Sequence, residues 1–168
     1  MMKSVFFRKE NNYNKEQKIF SKISQICINH LMRNQNVVVF FPTSYSRSFF
    51  FNLMLEIKEK SIYISDINNK NHLTFTNGVE IYHHNCEKDT FENSKKAKTF
   101  LFIDCSHSKK EKISFSHLYE IVEADDVEEL IFYDDLEGEN INFLNFFKKS
   151  MLNGDKWWKI KKIFLKKS

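Results

Sequence analysis

The sequence contains very little glycine and proline. Three glycines, Gly78, Gly138 and Gly154, and a single proline, Pro42, occur in 168 residues. This scarcity excludes collagen-like and proline-rich architectures, which need those residues in quantity. It also leaves few glycines for a phosphate-binding loop, whose backbone must approach the phosphate closely.

Long apolar runs and paired cysteines are missing as well. The sequence contains no run of about 18 apolar residues, the length needed to span a bilayer. The apolar run near the N-terminus is too short for the core of a signal peptide. The three cysteines form no CxxC pair, which fits a reducing compartment better than a disulfide framework. We therefore expect a cytoplasmic protein without a membrane partner.

Cysteine and histidine are too scattered to predict a metal site. The candidates match no standard zinc spacing, so no metal is expected. They are His83, His84, Cys86, Cys105 and His107.

The remaining composition is that of a globular domain. Hydrophobic residues make up 42% and charged residues 29% of the chain, and 18 phenylalanines supply large apolar surfaces for a core. A chain of this length is expected to form one domain, residues 1–168.

Charge is distributed unevenly along the chain. Residues 120–139 include ten acidic side chains and no basic one, whereas residues 148–168 include eight lysines against Asp155 alone. One interpretation is a solvated acidic face followed by a solvated basic tail. The other is that the tail contacts nucleic acid or an acidic partner.

Apolar runs alternate with helical patterns. Strands are predicted at residues 4–7, 37–41, 61–65, 99–104 and 130–133, a hairpin at 72–75 and 79–82, and a last strand at 157–164. The hairpin prediction depends on the Asn77–Gly78 turn. Helices are predicted from about residue 15 to 33–36, and at 46–60, 115–123 and 141–152. This order predicts an α/β fold with a mainly parallel central sheet flanked by helices and an inserted β-hairpin.

Three predicted strand ends carry the candidate chemistry, because ligands bind at the carboxyl ends of parallel strands. Residues 9–16 have the register of the phosphate-binding motif GxxxxGK[ST], with Lys15 at the lysine position. Lys9 and Asn14 replace the two glycines, and Glu16 replaces the hydroxyl that holds Mg²⁺. The match is therefore chemically poor.

The second end is the apolar strand that finishes at Asp104, the layout of a Walker B element. There the Asp orders Mg²⁺ and the next acid activates water, but Cys105 stands at that next position. The third end leads into the Asp134–Asp135 pair. This pair could bind a metal, but it lies in the acidic run, which we expect to be solvated.

Taken in order, these segments resemble the ATPase domain of phage terminase large subunits, a P-loop NTPase-like three-layer sandwich related to helicases. The resemblance rests on NVVVFFPTSYSRSFF, LTFTNGVEIYHHN, FLFIDCSH and the stretch that begins LIFYDDLEGEN. It spans nearly the whole chain. Asp134 to Leu136 occupy the place of the family's Ser-Thr-Pro coupling motif, and we expect no nuclease domain, since the chain has only the length of the ATPase domain.

The resemblance implies a degenerate, non-catalytic relative of the packaging motor, because the loop glycines, the hydroxyl, the activating carboxylate and the coupling motif are all replaced. Such a protein would be viral and located in the host cytoplasm, would be linked to DNA packaging, and would bind an active terminase or another motor subunit in a regulatory role. No cofactor is expected. Lys15 and Asp104 are the candidates for a residual contact with ATP and Mg²⁺.

Two questions stay open. The alternative function is a divergent nucleotide-binding ATPase, a helicase-like DNA translocase fragment that still binds Mg-ATP. The Lys-rich C-terminus could contact DNA, although a packed last strand is the competing interpretation of its tryptophans. The candidate DNA-binding residues are Lys156, Trp157, Trp158, Lys159, Lys161 and Lys162.

Overall fold

A twisted central sheet organises the protein in the computed structural model, which describes residues 3–9, 12–41, 52, 55–57, 59, 64–66, 72–75, 80–85, 97–107 and 126–152. The strands are β1 (Lys3–Arg8), β2 (Val37–Phe41), β3 (Ile64–Asp66), β4 (His72–Phe75), β5 (Glu80–Asn85), β6 (Thr99–Ile103) and β7 (Glu129–Asp134). Helix α1 spans Tyr13–Met32, helix α2 spans Ile141–Leu152, and a short 3₁₀ helix covers Cys105–His107.

The described strands form one seven-stranded sheet in the order β1-β7-β6-β2-β5-β4-β3. Neighbours from β1 to β5 pair in parallel, and β4 and β3 add an antiparallel edge beyond β5. The mainly parallel α/β fold predicted from the sequence is therefore confirmed, and so is the hairpin, whose second strand also extends the parallel sheet.

Helices α1 and α2 cover opposite faces of the sheet. Side chains of a strand alternate between its two faces. On one face, Phe20, Ile23 and Cys27 of α1 belong to a buried cluster with Val37, Val39, Leu101, Ile131 and other strand residues. On the other face, Phe143 and Phe147 of α2 pack on Phe132, and Phe147 also contacts Phe6.

A row of stacked aromatic rings crosses the sheet on the α2 face. The ring centroids of Phe40 and Phe102 lie 5.1 Å apart, and those of Phe102 and Phe132 are also 5.1 Å apart. Neighbouring strands are close enough for such rings to contact each other across the sheet. Some of the many phenylalanines of the sequence thus form the packed layer between the sheet and α2.

The predicted elements are present wherever both can be compared, but some bounds differ by a few residues: β5 ends at Asn85 rather than at residue 82, and β6 ends at Ile103 rather than at Asp104. Helix α1 ends at Met32, and Asn34 follows in the left-handed conformation at φ 60°. Residues 52, 55–57 and 59 are helical within the helix predicted at 46–60. The helix predicted at 115–123 and the last strand predicted at 157–164 lie outside the described residues. Of the described helices, none has the length and apolar character needed to cross a bilayer.

Candidate functional site

The carboxyl ends of three adjacent strands bring polar side chains to one edge of the sheet. Lys9 follows β1, Asp134 ends β7, and Asp104 follows β6. Strand β7 lies between β1 and β6, and all three run in parallel, so their ends lie together. This is the edge at which parallel sheets bind ligands.

Lys9 and Asp104 form an ion pair at this edge. Lys9 Nζ lies 3.1 Å from Asp104 Oδ2, and the side chains are 13% and 2% exposed, respectively. Burial raises the pKa of Asp104 above its ordinary value, and the Lys9 ammonium acts in the opposite direction. The second carboxylate oxygen, Oδ1, is buried and has no hydrogen-bond partner within the described part of the chain.

Asp134 joins the ends of β6 and β7. Its carboxylate accepts hydrogen bonds from the backbone N–H of Ser106 (2.9 Å), the hydroxyl of Ser106, and the backbone N–H of Leu136 (2.8 Å). Burial raises the pKa of Asp134 to about 6, although the hydrogen bonds from Ser106 and Leu136 oppose that rise. The prediction that this residue belongs to a solvated acidic face is therefore wrong, because the end of β7 is enclosed by the 3₁₀ helix.

Asp135 lies nearer the surface and contacts a histidine. Its Oδ1 lies 2.7 Å from Nε2 of His107 and accepts the backbone N–H of Glu137 at 2.9 Å. Burial alone would raise the pKa of Asp135, but the hydrogen bond from Glu137 and the contact with His107 outweigh it, so this pKa lies below its ordinary value.

At the start of helix α1, the side chains of Asn12 and Glu16 form hydrogen bonds within the chain. Asn12 is the N-cap, and its Oδ1 accepts the backbone N–H groups of Asn14 (3.0 Å) and Lys15 (3.3 Å). The carboxylate of Glu16 accepts the hydroxyl of Tyr133 at 2.9 Å. The Lys15 side chain is exposed in the first turn, so Lys9, rather than Lys15, is the lysine paired with Asp104.

Cys105 occupies the position at which the family resemblance places an activating carboxylate. The residue is fully buried, and its thiol donates to the carbonyl of Ile103 at 3.8 Å. A buried thiol is a weak hydrogen-bonding group and does not activate water as a carboxylate does.

The segment after β7 packs tightly against the 3₁₀ helix. The Asn140 backbone N–H donates to the Ser106 carbonyl at 2.8 Å, and the Asn140 side chain caps α2 by accepting the N–H of Phe143 at 3.1 Å. A Cβ atom at Gly138 would lie only 1.9 Å from that same carbonyl oxygen. Glycine is therefore required here for close approach between two backbone segments.

Sequence reasoning placed Asp104 and the Asp134–Asp135 pair at strand ends on this edge and named His107 separately, but it did not predict that these residues meet, or that Lys9 pairs with Asp104. Asp104, His107 and Asp134 each place one potential ligand atom so that all three atoms lie within 4.8 Å of one another. Asp134 had the same signal as Asp104, an apolar strand ending in a carboxylate, and that signal was outweighed by its acidic neighbours. The candidate DNA-binding residues at 156–162 lie outside the described residues.

Comparisons with known proteins support the fold. No protein-family model matches the chain, and no curated protein matches it. Among solved structures, it is similar to the large terminase of bacteriophage HK97, with a TM-score of 0.66 at 10% sequence identity. The match covers 93% of this chain and 34% of the terminase chain, so this chain spans about a third of that protein. The similarity extends the terminase resemblance from sequence segments to the arrangement of the fold.

Proposed function

We propose that this chain is a terminase ATPase-like binding or regulatory module that does not hydrolyse ATP. Its partner would be an active terminase or another motor subunit of a viral DNA-packaging machine, with DNA contacted through the lysine-rich C-terminus. The fold shared with a large terminase supports the family part of the proposal.

The proposal that the chain does not hydrolyse ATP rests mainly on the N-terminus of α1, where a side chain of the protein itself takes the backbone N–H groups. Backbone N–H groups at a helix N-terminus are what a phosphate-binding site offers to its anion. Here the Asn12 side chain accepts two of them, and Glu16 adds a carboxylate in the same turn. A nucleotide phosphate would have to displace the cap and approach a negative charge.

The Walker B position supports the same conclusion. Asp104 is paired with Lys9, and Cys105 is buried with its thiol on a backbone carbonyl. Neither residue is arranged to activate a water molecule. Loss of a positioned general base alone typically lowers a rate by 10²–10⁴-fold.

One observation favours the alternative, a nucleotide-binding translocase. A lysine after β1 and an aspartate after β6 meet at the carboxyl edge of the sheet, 3.1 Å apart. These two charges could rearrange around Mg²⁺ and a phosphate if nucleotide entered.

Thermal unfolding with and without nucleotide separates the two functions. A ligand at about 100 times its Kd adds about 2.7 kcal/mol to the free energy of unfolding, which raises Tm by several degrees. We expect no such shift with ATP or ADP and Mg²⁺, and no phosphate release above background with or without DNA.

The matched variants are Lys15→Ala and Lys18→Ala, which remove exposed lysines from the same helix. Stabilisation by ATP that persists in Lys18→Ala and disappears in Lys15→Ala would establish nucleotide binding. Phosphate release above background that is lost in the same Lys15→Ala variant would overturn the non-catalytic proposal. Nucleotide-independent Tm values in all three proteins would support it.

A further inference from the structure

The geometry points to a divalent transition-metal site formed by Asp104, His107 and Asp134 that binds without nucleotide. The sequence predicts no metal, because its cysteine and histidine spacing matches no zinc pattern. The structure instead combines one of the sequence candidates, His107, with two carboxylates, so that ligand atoms from two strand ends and the 3₁₀ helix lie within 4.8 Å of one another. This inference does not depend on the proposed function.

The independent observation is the unsatisfied oxygen of Asp104. Its side chain is only 2% exposed, and Oδ1 has no hydrogen-bond partner within the described residues. A buried carboxylate oxygen left without a partner costs free energy, and buried charges are ordinarily paired or bound to metals. Lys9 takes the other oxygen, so Oδ1 is the atom left for a second cation.

The neighbouring groups suit a metal in kind as well as in position. A metal-bound imidazole commonly gives the proton of its other ring nitrogen to a carboxylate, and Asp135 contacts Nε2 of His107 at 2.7 Å. Asp134 is held by Ser106 and Leu136, which fixes the orientation of its carboxylate. Both ligands therefore have partners that would orient them around an ion.

The chemistry of the set selects the class of metal. Mg²⁺ and Ca²⁺ favour sites built entirely of oxygen, whereas an imidazole with two carboxylates suits Mn²⁺, Co²⁺ or Zn²⁺. Three protein ligands leave coordination positions for water. The site is thus expected to prefer Mn²⁺ and Co²⁺ over Mg²⁺.

Lys9 should act as a competitor of the metal. Its ammonium lies 3.1 Å from Asp104 Oδ2, so a divalent ion on the same carboxylate is repelled by it or displaces it. Removing this charge should tighten metal binding, which no merely adventitious surface site would show.

The test titrates the nucleotide-free full chain with Mn²⁺, followed by electron paramagnetic resonance, and with Co²⁺, followed by visible absorption. We expect one saturable site. Its affinity should fall at least about tenfold in Asp104→Asn and in His107→Ala, as is typical when groups at a metal site are removed, and should rise at least about tenfold in Lys9→Met because a nearby positive charge is gone. The His107 variant should also change the Co²⁺ spectrum.

Asp126→Asn is the matched control, since Asp126 is an exposed aspartate outside the cluster, and its affinity should equal that of the wild type. Circular dichroism checks folding. His107→Ala and Lys9→Met keep the test informative if Asp104→Asn does not fold. Absence of saturable binding, equal binding in the wild type and His107→Ala, or unchanged affinity in Lys9→Met would each overturn the proposal, the second by showing an adventitious ion only.

Discussion

At the amino end of the sheet a buried histidine has a partner on each ring nitrogen. At the carboxyl end, within the part of the chain that the structure describes, a buried carboxylate has a partner on one of its two oxygens. His30, near the end of α1, contacts Gln35 through Nδ1 and Glu129 through Nε2, both at 2.7 Å. At the other end, Asp104 is paired through Oδ2, whereas its Oδ1 has no hydrogen-bond partner among the described residues.

The amino end is a closed network. Gln35, which contacts His30, also donates a hydrogen bond from Nε2 to Glu128 Oε1 at 3.0 Å. Arg33 Nη1 lies 4.0 Å from Oε2 of the same glutamate. These contacts tie the last turn of α1 to the start of β7. One buried atom there, the Thr99 hydroxyl oxygen, also lacks a hydrogen-bond partner among the described residues, but a neutral hydroxyl is less costly to bury than a carboxylate oxygen.

This difference between the two ends of the sheet suggests different roles for their buried polar groups. Buried polar groups that are hydrogen-bonded hold elements in place, whereas a buried carboxylate oxygen without a partner among the described residues is a candidate position for a ligand, as in the metal site proposed above. The carboxyl end also concentrates its charges on three strands and encloses them with a glycine-dependent turn. It is therefore the end at which variants should separate stability from binding.

Gly138→Ala should have the largest effect on stability. The new Cβ would lie 1.9 Å from the Ser106 carbonyl oxygen and 2.5 Å from the His107 nitrogen, both backbone atoms. Backbone cannot move as a flexible side chain does, so we expect a loss of about 3 kcal/mol in the free energy of unfolding, measured by urea denaturation. Glu139→Ala, at an exposed neighbour, should change it by less than about 0.5 kcal/mol. Equal free energies of unfolding for the two variants would contradict the close approach between Gly138 and the Ser106 backbone.

The same turn shows what the sequence could and could not predict. Periodicity and apolar runs predicted α1, α2, β2 and β6, because these elements bury whole faces in regular patterns. The Asn77–Gly78 pair predicted the hairpin now seen as β4 and β5, since that dipeptide favours a tight turn between strands. The requirement for glycine at position 138, by contrast, cannot be predicted from the sequence, because it depends on the close approach of the Ser106 backbone.

The site depended on contacts that are remote in sequence. Lys9 and Asp104 are 95 positions apart, and Ser106 and Asp134 are 28 apart. The motif register drew attention to Lys15, whereas the order of strands in the sheet decides which lysine meets Asp104. Charge density likewise suggested a solvated Asp134, and only the packing of adjacent strand ends shows that it is buried.

His30→Leu tests the amino end of the comparison. The substitution removes the contacts that His30 makes with Gln35 Oε1 and Glu129 Oε2 and puts an apolar side chain in the buried position. We expect a loss of about 2 kcal/mol, within the range for leaving buried polar groups unpaired. Lys22→Ala on the exposed side of the same helix is the control and should be close to neutral. Affinity for Mn²⁺ should not change in either variant, because the proposed metal ligands lie at the opposite end of the sheet. A change would contradict the separation of the two ends.

The smallest expected effect is a pH dependence at the carboxyl end, measured in metal-free buffer with a chelator. Because the pKa of Asp134 is raised to about 6 in the folded chain from 3.8, the folded state holds this proton more tightly than the unfolded state. Its contribution to stability is fully present below pH 3.8 and is lost as the pH rises through about 6. Between pH 5 and pH 7 this amounts to a loss of about 1 kcal/mol.

Asp134→Asn isolates that contribution from the other titrating groups. The difference in free energy of unfolding between wild type and variant should change by about 1 kcal/mol between pH 5 and pH 7, with the wild type gaining at the lower pH. Asp135→Asn should leave the profile between pH 5 and pH 7 unchanged and alter it in the opposite sense below pH 3.8, because the pKa of Asp135 is lowered from 3.8 and its contribution is lost as the pH falls. A wild-type profile parallel to that of Asp134→Asn would mean that Asp134 is solvated after all, and the contrast between the two ends of the sheet would then rest on Asp104 alone.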